Sequence, residues 1–274
     1  MEEIASGFLQ KLKIHSAVPL CYELIFQDRK LVLNTYLGKN LRFEFTGIIH
    51  CVACGRQIKK SFQDGHCFVC QQSLAVTDIC SVRPEKCHFT LGTCRDEAYA
   101  QSQCFIPHWI YLANTSGVKV GITRHTNVPG RWFDQGAVQA LPICVAGHRL
   151  MAGLVEIALA QHLPDKTNWR KLLQPQSWVD LERARSLVLN EFLDFQGERL
   201  RLSTWPGISM LEEPVSDFTY PIQSYPQKVA SLSFDKAPII QGKLLGMKGQ
   251  YLFFEQGGLS MRKCRGYELM VSEL

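Results

Sequence analysis

The sequence predicts an α+β protein with β-rich ends, a cysteine-dense module after the first end, and a compact α/β unit in the middle. Three observations predict it. The alternation in Leu41-Arg42-Phe43-Glu44-Phe45 has the two-residue period of a strand with one wet face, and strand-like runs recur at both ends of the chain. Eight of the eleven cysteines fall between Cys51 and Cys104. Apolar residues at helical spacing run through 149–163 and 179–195. At 274 residues, 46% hydrophobic and 20% charged, the chain is sized for one large domain or two to three small ones of a soluble globular protein.

Five segments follow in order: a β-rich segment at 1–50, a cysteine-rich module at 51–104, an α/β unit at 105–203, a proline-rich connection at 204–238 and a small β segment at 239–274. Residues 1–20 read as a short helix and a loop. Strands are expected at CYELIF, KLVLNTYL and LRFEFTGIIH, parted by Gln27-Asp28 and Gly38-Lys39-Asn40. In the α/β unit, WIYLANTSGVKVGITR at 109–124 reads as a hairpin whose loop is Asn114-Thr115-Ser116-Gly117. The second helix has Asp180 to cap it and a Leu187, Val188 and Phe192 stripe. Prolines at 206, 214, 221 and 226 forbid a long element in the connection. Glycines at 242, 246, 249, 257, 258 and 266 divide the end into four short strands, which would join the N-terminal strands and bring the two termini together.

The first four clustered cysteines are spaced Cys51-x2-Cys54-x12-Cys67-x2-Cys70. Two CxxC knuckles each offer two thiolates from a tight turn and together close a tetrahedral shell around Zn²⁺, as in a zinc ribbon. The twelve residues between them suit a hairpin, with turn chemistry at Asp64-Gly65. A disulfide framework is the alternative, and it needs an oxidising compartment. The next four, Cys80-x6-Cys87-x6-Cys94-x9-Cys104, contain no CxxC pair. A second Zn²⁺, for which His88 can replace one thiolate, an iron–sulfur cluster, or buried free thiols remain open. Cys21, Cys144 and Cys264 have no partner at ligand spacing and read as core residues.

A net charge of +5 is too mild to name an anionic partner. Local charge says more, because Asp134 is the one carboxylate between Phe105 and Leu150, against Lys119, Arg124, Arg131 and Arg149. No apolar run has membrane-spanning length, and the first residues carry acids ahead of any apolar stretch. A cytoplasmic protein with no membrane partner is expected. Oligomeric state is not encoded in any pattern found.

The order Trp109-Ile110-Tyr111, a short loop, Lys119-Val120-Gly121-Ile122-Thr123, a nearby arginine and a lone glutamate on a later helix resembles the GIY-YIG nuclease superfamily, in the branch whose second motif reads Lys-(Ile/Val)-Gly. The whole chain also resembles an uncharacterised bacterial family of domains of unknown function. The shared features are the cysteines, the segments Lys119–Arg124 and Arg131–Ala137, and Met247-Lys248-Gly249-Gln250-Tyr251-Leu252. The superfamily resemblance covers about residues 105–175. It implies a metal-dependent nuclease acting on DNA or RNA. Tyr111 would then lie at the reacting phosphate, Gly121 would keep space clear, Arg131 (or Arg124) would stabilise charge, and Glu156 would hold Mg²⁺ or Mn²⁺. His162 and Asn168 would support substrate or metal.

The chain departs from that pattern in two places. Lys119 stands where many family nucleases have a second tyrosine, and Trp132-Phe133 follow Arg131 where a histidine or tyrosine is usual. Lys119 would serve as a phosphate cation or proton carrier. Glu156, the one charged residue between Arg149 and Asp165, either takes a cation or lies on the wet edge of its helix. The alternative to an enzyme is therefore a non-catalytic zinc-containing nucleic-acid-binding protein, with Arg56, Lys59 and Lys60 on the ribbon and Arg124 and Arg131 in the core touching phosphate. Phe62 and Phe68 would stack on bases or pack. An iron–sulfur protein built on the second quartet is a further reading.

Overall fold

The computed structural model describes residues 2–163, 167–195 and 198–274, with mixed α and β structure. The chain divides into two compact units. One comprises Met1–Gln72, Trp169–Pro175 and Phe218–Leu274, and the other Ser73–Asn168 and Gln176–Asp217. The first cysteine quartet belongs to the former and the second to the latter.

The first unit is built on an antiparallel sheet. Its strand order is Ile239–Lys243, Asn40–His50, Tyr267–Glu273, Glu2–His15, Cys21–Phe26 and Lys30–Val32, with Gln57–Ile58 added to Asn40–His50. The ends of the chain pair directly, from Glu2 opposite Glu273 to Phe8 opposite Glu268. A second sheet of Ser231–Leu232, Gly257–Ser260, Tyr251–Phe254 and Gly246–Lys248 contributes Phe254, whose ring meets Phe43 edge-on at 6.0 Å. Both phenylalanines are fully buried, each worth about 1.5–3 kcal/mol of apolar burial.

Residues 1–20 are not a helix, because Glu2–His15 is a strand. Its buried residues are Ala5, Leu9, Leu12 and Ile14, and the first three have the four-then-three spacing of a helix face. The register shift between Leu9 and Lys11 explains the odd step from Leu9 to Leu12. A bulge adds one residue and flips the inward parity, so a strand acquires an apolar pattern that is not two-fold. Within 30–37 only Lys30–Val32 is strand, and Leu33–Tyr36 turns as a 3₁₀ segment. The C-terminal region holds five strands, not four, since Gly246–Lys248 is too short to read from sequence.

The second unit centres on an antiparallel sheet ordered Ile208–Met210, Gln139–Ala146, His108–Asn114 and Val118–Arg124, with Ser216–Asp217 also on Gln139–Ala146. The prolines of the connection thus leave room only for edge pairs. Helices Arg149–Ala160 and Leu181–Asn190 contribute to one core with this sheet, containing Leu112, Val120, Ile143, Val155, Leu159 and Val188. Asp180 caps the second helix by accepting the Arg183 N–H at 2.9 Å. That helix stops at Asn190, short of the expected 195, and Phe192–Phe195 is a strand paired with Glu198–Arg201. Its inward face is Leu181 and Val188, while Leu187 is 60% exposed. No helix among the described residues is long and apolar enough to cross a membrane.

Candidate functional site

Strand pairing sets Tyr111 opposite Gly121 and Ala113 opposite Lys119. Alternation then brings these four residues to one face of the hairpin, while Leu112 and Val120 enter the apolar core. Tyr111 is fully buried, and Trp132 meets its ring edge-on at 5.8 Å. A Cβ on Gly121 would come within 2.7 Å of the Tyr111 hydroxyl, so glycine is what lets the ring lie there.

The Tyr111 hydroxyl is joined to the carboxamide of Gln135 at 2.8 Å. With the Gln135 oxygen turned toward Arg131, it accepts from Nε and Nη2 at 3.1 Å each, and the amide nitrogen donates to Tyr111 Oη. Arg131 and Gln135 sit four residues apart on and just after the short helix Gly130–Asp134, on the same side of its turn. Burial pushes the Tyr111 phenol up to about 12. The Arg131 cation opposes that shift and the Glu156 carboxylate adds to it. Arg131 and Glu156 are therefore each within electrostatic reach of Tyr111. Glu156 is half-buried on Arg149–Ala160, and Lys119 is 4% exposed.

Other expected residues lie elsewhere. Arg124 ends its strand opposite His108. His162 is exposed beyond the helix, and Asn168 donates its backbone N–H to Ser116 Oγ at 2.9 Å. His108, 2% exposed, has Nδ1 at 2.8 Å from the Ile106 carbonyl. Burial outweighs that bond and holds its pKa down to about 4, with the Arg149 and Arg124 cations adding to the shift. Gln135 was not anticipated from sequence. Its position four residues after the candidate arginine was the available signal.

In the first unit, one donor atom from each of Cys51, Cys54, Cys67 and Cys70 lies within 4.8 Å of the others, close enough to hold one metal ion. Cys54 Sγ and Cys67 Sγ are 3.9 Å apart. Backbone amides serve the sulfurs, Cys67 N–H donating to Cys51 Sγ at 3.2 Å and Cys70 N–H to Cys67 Sγ at 3.4 Å. Gly55 supplies the positive φ of the first knuckle's turn, and its N–H reaches the Cys51 carbonyl at 2.9 Å. Burial raises the Cys51 thiol, but the N–H groups of Cys54, Cys67 and Ala53 outweigh this and bring it down to about 6. The bond to Cys67, burial and the remaining thiols push Cys70 up to about 12. One thiolate forms easily, and a full set needs a cation at its centre.

Beside this centre, Lys59 and Lys60 are exposed, as are Phe62 (39%) and Phe68 (57%), whose rings pair at 5.6 Å. Lys60 Nζ lies 5.7 Å from the Phe62 ring centre. Arg56 is exposed and hydrogen-bonds the Cys54 thiol, which raises its pKa. Of the three remaining cysteines, Cys144 and Cys264 are buried, while Cys21 is half-buried.

In the second unit, Cys80, Cys87, Cys94 and Cys104 all line one cavity of about 250 Å³, together with His88 and Arg149. The tight donor group there is Asp78, Cys80 and His88. Among the described residues, Cys87, Cys94 and Cys104 belong to no group packed within 4.8 Å. Asp78 was not anticipated. It accepts from Arg95 Nε at 2.6 Å and from Cys80 N–H at 3.2 Å, with His88 Nε2 at 3.3 Å, so its lone pairs are engaged.

No curated protein and no solved structure matched the chain. Residues 38–269 match a family described as "Protein of unknown function (DUF2797)", a span that takes in both cysteine quartets and the Tyr111 site. Since that match covers most of the sequence, the chain belongs to the DUF2797 family.

Proposed function

We propose that this protein is a metal-dependent phosphodiesterase acting on DNA or RNA, with a GIY-YIG-like core and a zinc-ribbon-like arm. The observation that carries the reading is the Tyr111–Gln135–Arg131 network on a hairpin-and-helix unit, with Glu156 on the following long helix. Arg131 offers a fixed cation for the charge that gathers on a phosphate during displacement, held in orientation by Gln135. Lys119, on the same face, supplies a second cation in place of a phenol. A divalent ion of the Mg²⁺ or Mn²⁺ type, held mostly by water, fits one half-buried carboxylate at Glu156 and would neutralise the leaving oxygen.

Zinc fits the first quartet. A Zn–S bond of about 2.3 Å in a tetrahedron implies sulfurs about 3.8 Å apart, and Cys54 and Cys67 stand at 3.9 Å. Lys59, Lys60 and the exposed Phe62–Phe68 pair give the arm cations for phosphate and rings for base stacking.

A second reading, nucleic-acid binding without turnover, rests on Tyr111. Its complete burial and raised pKa leave no exposed phenol to activate water. The test is cleavage of labelled single- and double-stranded DNA and RNA with Mg²⁺ or Mn²⁺, wild type against Glu156→Ala. Cleavage lost only in the variant supports the enzyme. Salt-sensitive binding by both, with cleavage by neither, supports the binding protein.

A further inference from the structure

Cys80, Cys87, Cys94 and Cys104 come from four separate segments, yet all four reach one cavity of about 250 Å³. Roughly 150 Å³ suffices for a benzene molecule, and a lone water needs only about 10–15 Å³. The space is therefore far larger than a single ion requires. Donors that share one ion stand about 3.8 Å apart, as Cys54 and Cys67 do at 3.9 Å. Cys87, Cys94 and Cys104 form no such tight group among the described residues. The one tight group here, Asp78, Cys80 and His88, has its carboxylate tied to Arg95 at 2.6 Å, and a guanidinium on a ligand oxygen opposes a dication.

We propose that these four cysteines hold an iron–sulfur cluster of the four-iron, four-sulfide type, the larger cofactor that a cage of four thiolates accepts. The surroundings suit an anionic group of that size. Arg149 hydrogen-bonds the Cys104 thiol, and its Nε is buried without a partner among the described residues. Its side chain also donates to the Ser81 carbonyl beside Cys80, and its backbone N–H donates to the Cys104 carbonyl at 2.8 Å. One arginine thus ties the first and last ligand segments together and carries the compensating charge. Phe89 and Phe105, packed edge-on at 4.7 Å, give the cavity an apolar wall.

Loading is ligand exchange. A ready-made cluster leaves the thiolates of a carrier, each of the four cysteines forms one S–Fe bond, and their protons pass to the departing thiolates. No electron changes hands. The cluster would also brace the proposed active site. Arg149 opens the helix that carries Glu156, and Gly153 of that helix lies so close to Pro84 that a Cβ would come within 2.6 Å of it. The segment leading to Cys87 is thereby pinned to the helix.

The test is anaerobic purification of the full chain from iron-replete cells, with iron, acid-labile sulfide and zinc measured per chain. The result expected is a brown protein with about four iron and four sulfide, plus about one zinc. Dithionite should bleach the visible band and produce an electron paramagnetic resonance signal. Cys87→Ser and Cys94→Ser should lose iron and sulfide but keep zinc, and Cys51→Ser should do the opposite. The iron-to-sulfide ratio of wild type decides the matter even where a variant fails to fold. A colourless protein with about two zinc per chain, one lost in Cys87→Ser, overturns the proposal. So does a folded wild type that takes up no iron from a cluster preassembled on small thiols. Neither outcome depends on cleavage, so the cluster and the phosphodiesterase reading stand or fall separately.

Discussion

Gly121 lies directly opposite Tyr111 in the hairpin, and the atom nearest to where its side chain would begin is the Tyr111 hydroxyl, at 2.7 Å. The ring carbon bearing that hydroxyl is 2.8 Å away, so the crowding involves the aromatic body and not a flexible tip. Gly121→Ala must push Tyr111 out of a filled interior. A loss of about 1–3 kcal/mol is expected, read as a lower urea midpoint at unchanged m-value. A variant as stable as wild type would mean that Tyr111 has somewhere else to go.

The Gln135 side chain joins Tyr111 to Arg131. Gln135→Leu keeps the bulk and leaves a buried hydroxyl short of a partner, at a cost of about 1–3 kcal/mol. It also frees Arg131 to swing. If Arg131 meets phosphate, Gln135→Leu and Arg131→Gln should impair nucleic-acid cleavage or affinity similarly, and the double variant should lose little more than either alone. Additive losses would separate the two residues.

His108 makes stability depend on pH. Its folded pKa of about 4 lies below the ordinary value of 6.5, so the unfolded chain binds the extra proton. Its contribution is complete above 6.5 and is lost as pH falls from there toward 4. The loss is up to about 3 kcal/mol on this account. His108→Gln, which retains a donor for the Ile106 carbonyl, should flatten the curve of unfolding free energy across that window. An unchanged slope would assign the acid sensitivity to other groups.

The exposed lysines give a measurement that does not rely on turnover. Lys59→Ala and Lys60→Ala should each lower the slope of log affinity against log salt by about 1 if both touch phosphate. Phe62→Ala and Phe68→Ala should weaken single-strand binding by about 1–3 kcal/mol through lost stacking. Salt slopes indistinguishable from wild type would remove this surface from the interface.

The metal centre at Cys51, Cys54, Cys67 and Cys70 should respond to chelation. Each ligand is a thiolate when bound, so protons compete with the metal and acidification favours release. Removing the ion should take away the bonds that hold the four sulfurs together and melt the knuckles before the sheet. This would register as loss of hydrogen-exchange protection confined to residues 51–70. Protection unchanged in metal-free protein would show that the knuckles stand without it.

The first quartet was legible because CxxC spacing is a local property, fixed by the turn that each pair must make. Cys80, Cys87, Cys94 and Cys104 were legible as a cluster but not as a shape, since four separate segments converge there and no spacing rule links them. The strand Glu2–His15 was misread for a related reason. The bulge between Leu9 and Lys11 gives Ala5, Leu9 and Leu12 a helical spacing, and it arises from the pairing with Cys21–Phe26, which the strand's own residues do not reveal. Gln135 escaped notice because its spacing of four from Arg131 gains meaning only once Tyr111 is known to be buried beside it. Lys119 stood out in the sequence, but its burial depends on how the hairpin is covered, which its own strand does not specify.

The pairing of Glu2–His15 with Tyr267–Glu273 also constrains how the chain is made. The segment Glu2–His15 leaves the ribosome well before the residues Tyr267–Glu273 that it pairs with. Until they arrive, one edge of Glu2–His15 stays open while roughly 250 further residues are added at about 5–20 per second. The second unit has no such debt, because its sheet and helices all come from residues 73–217. It can be complete before the first unit closes. The exposed early edge is then a natural target for a holding chaperone, and slow translation of the intervening residues would lengthen the vulnerable interval, not shorten it.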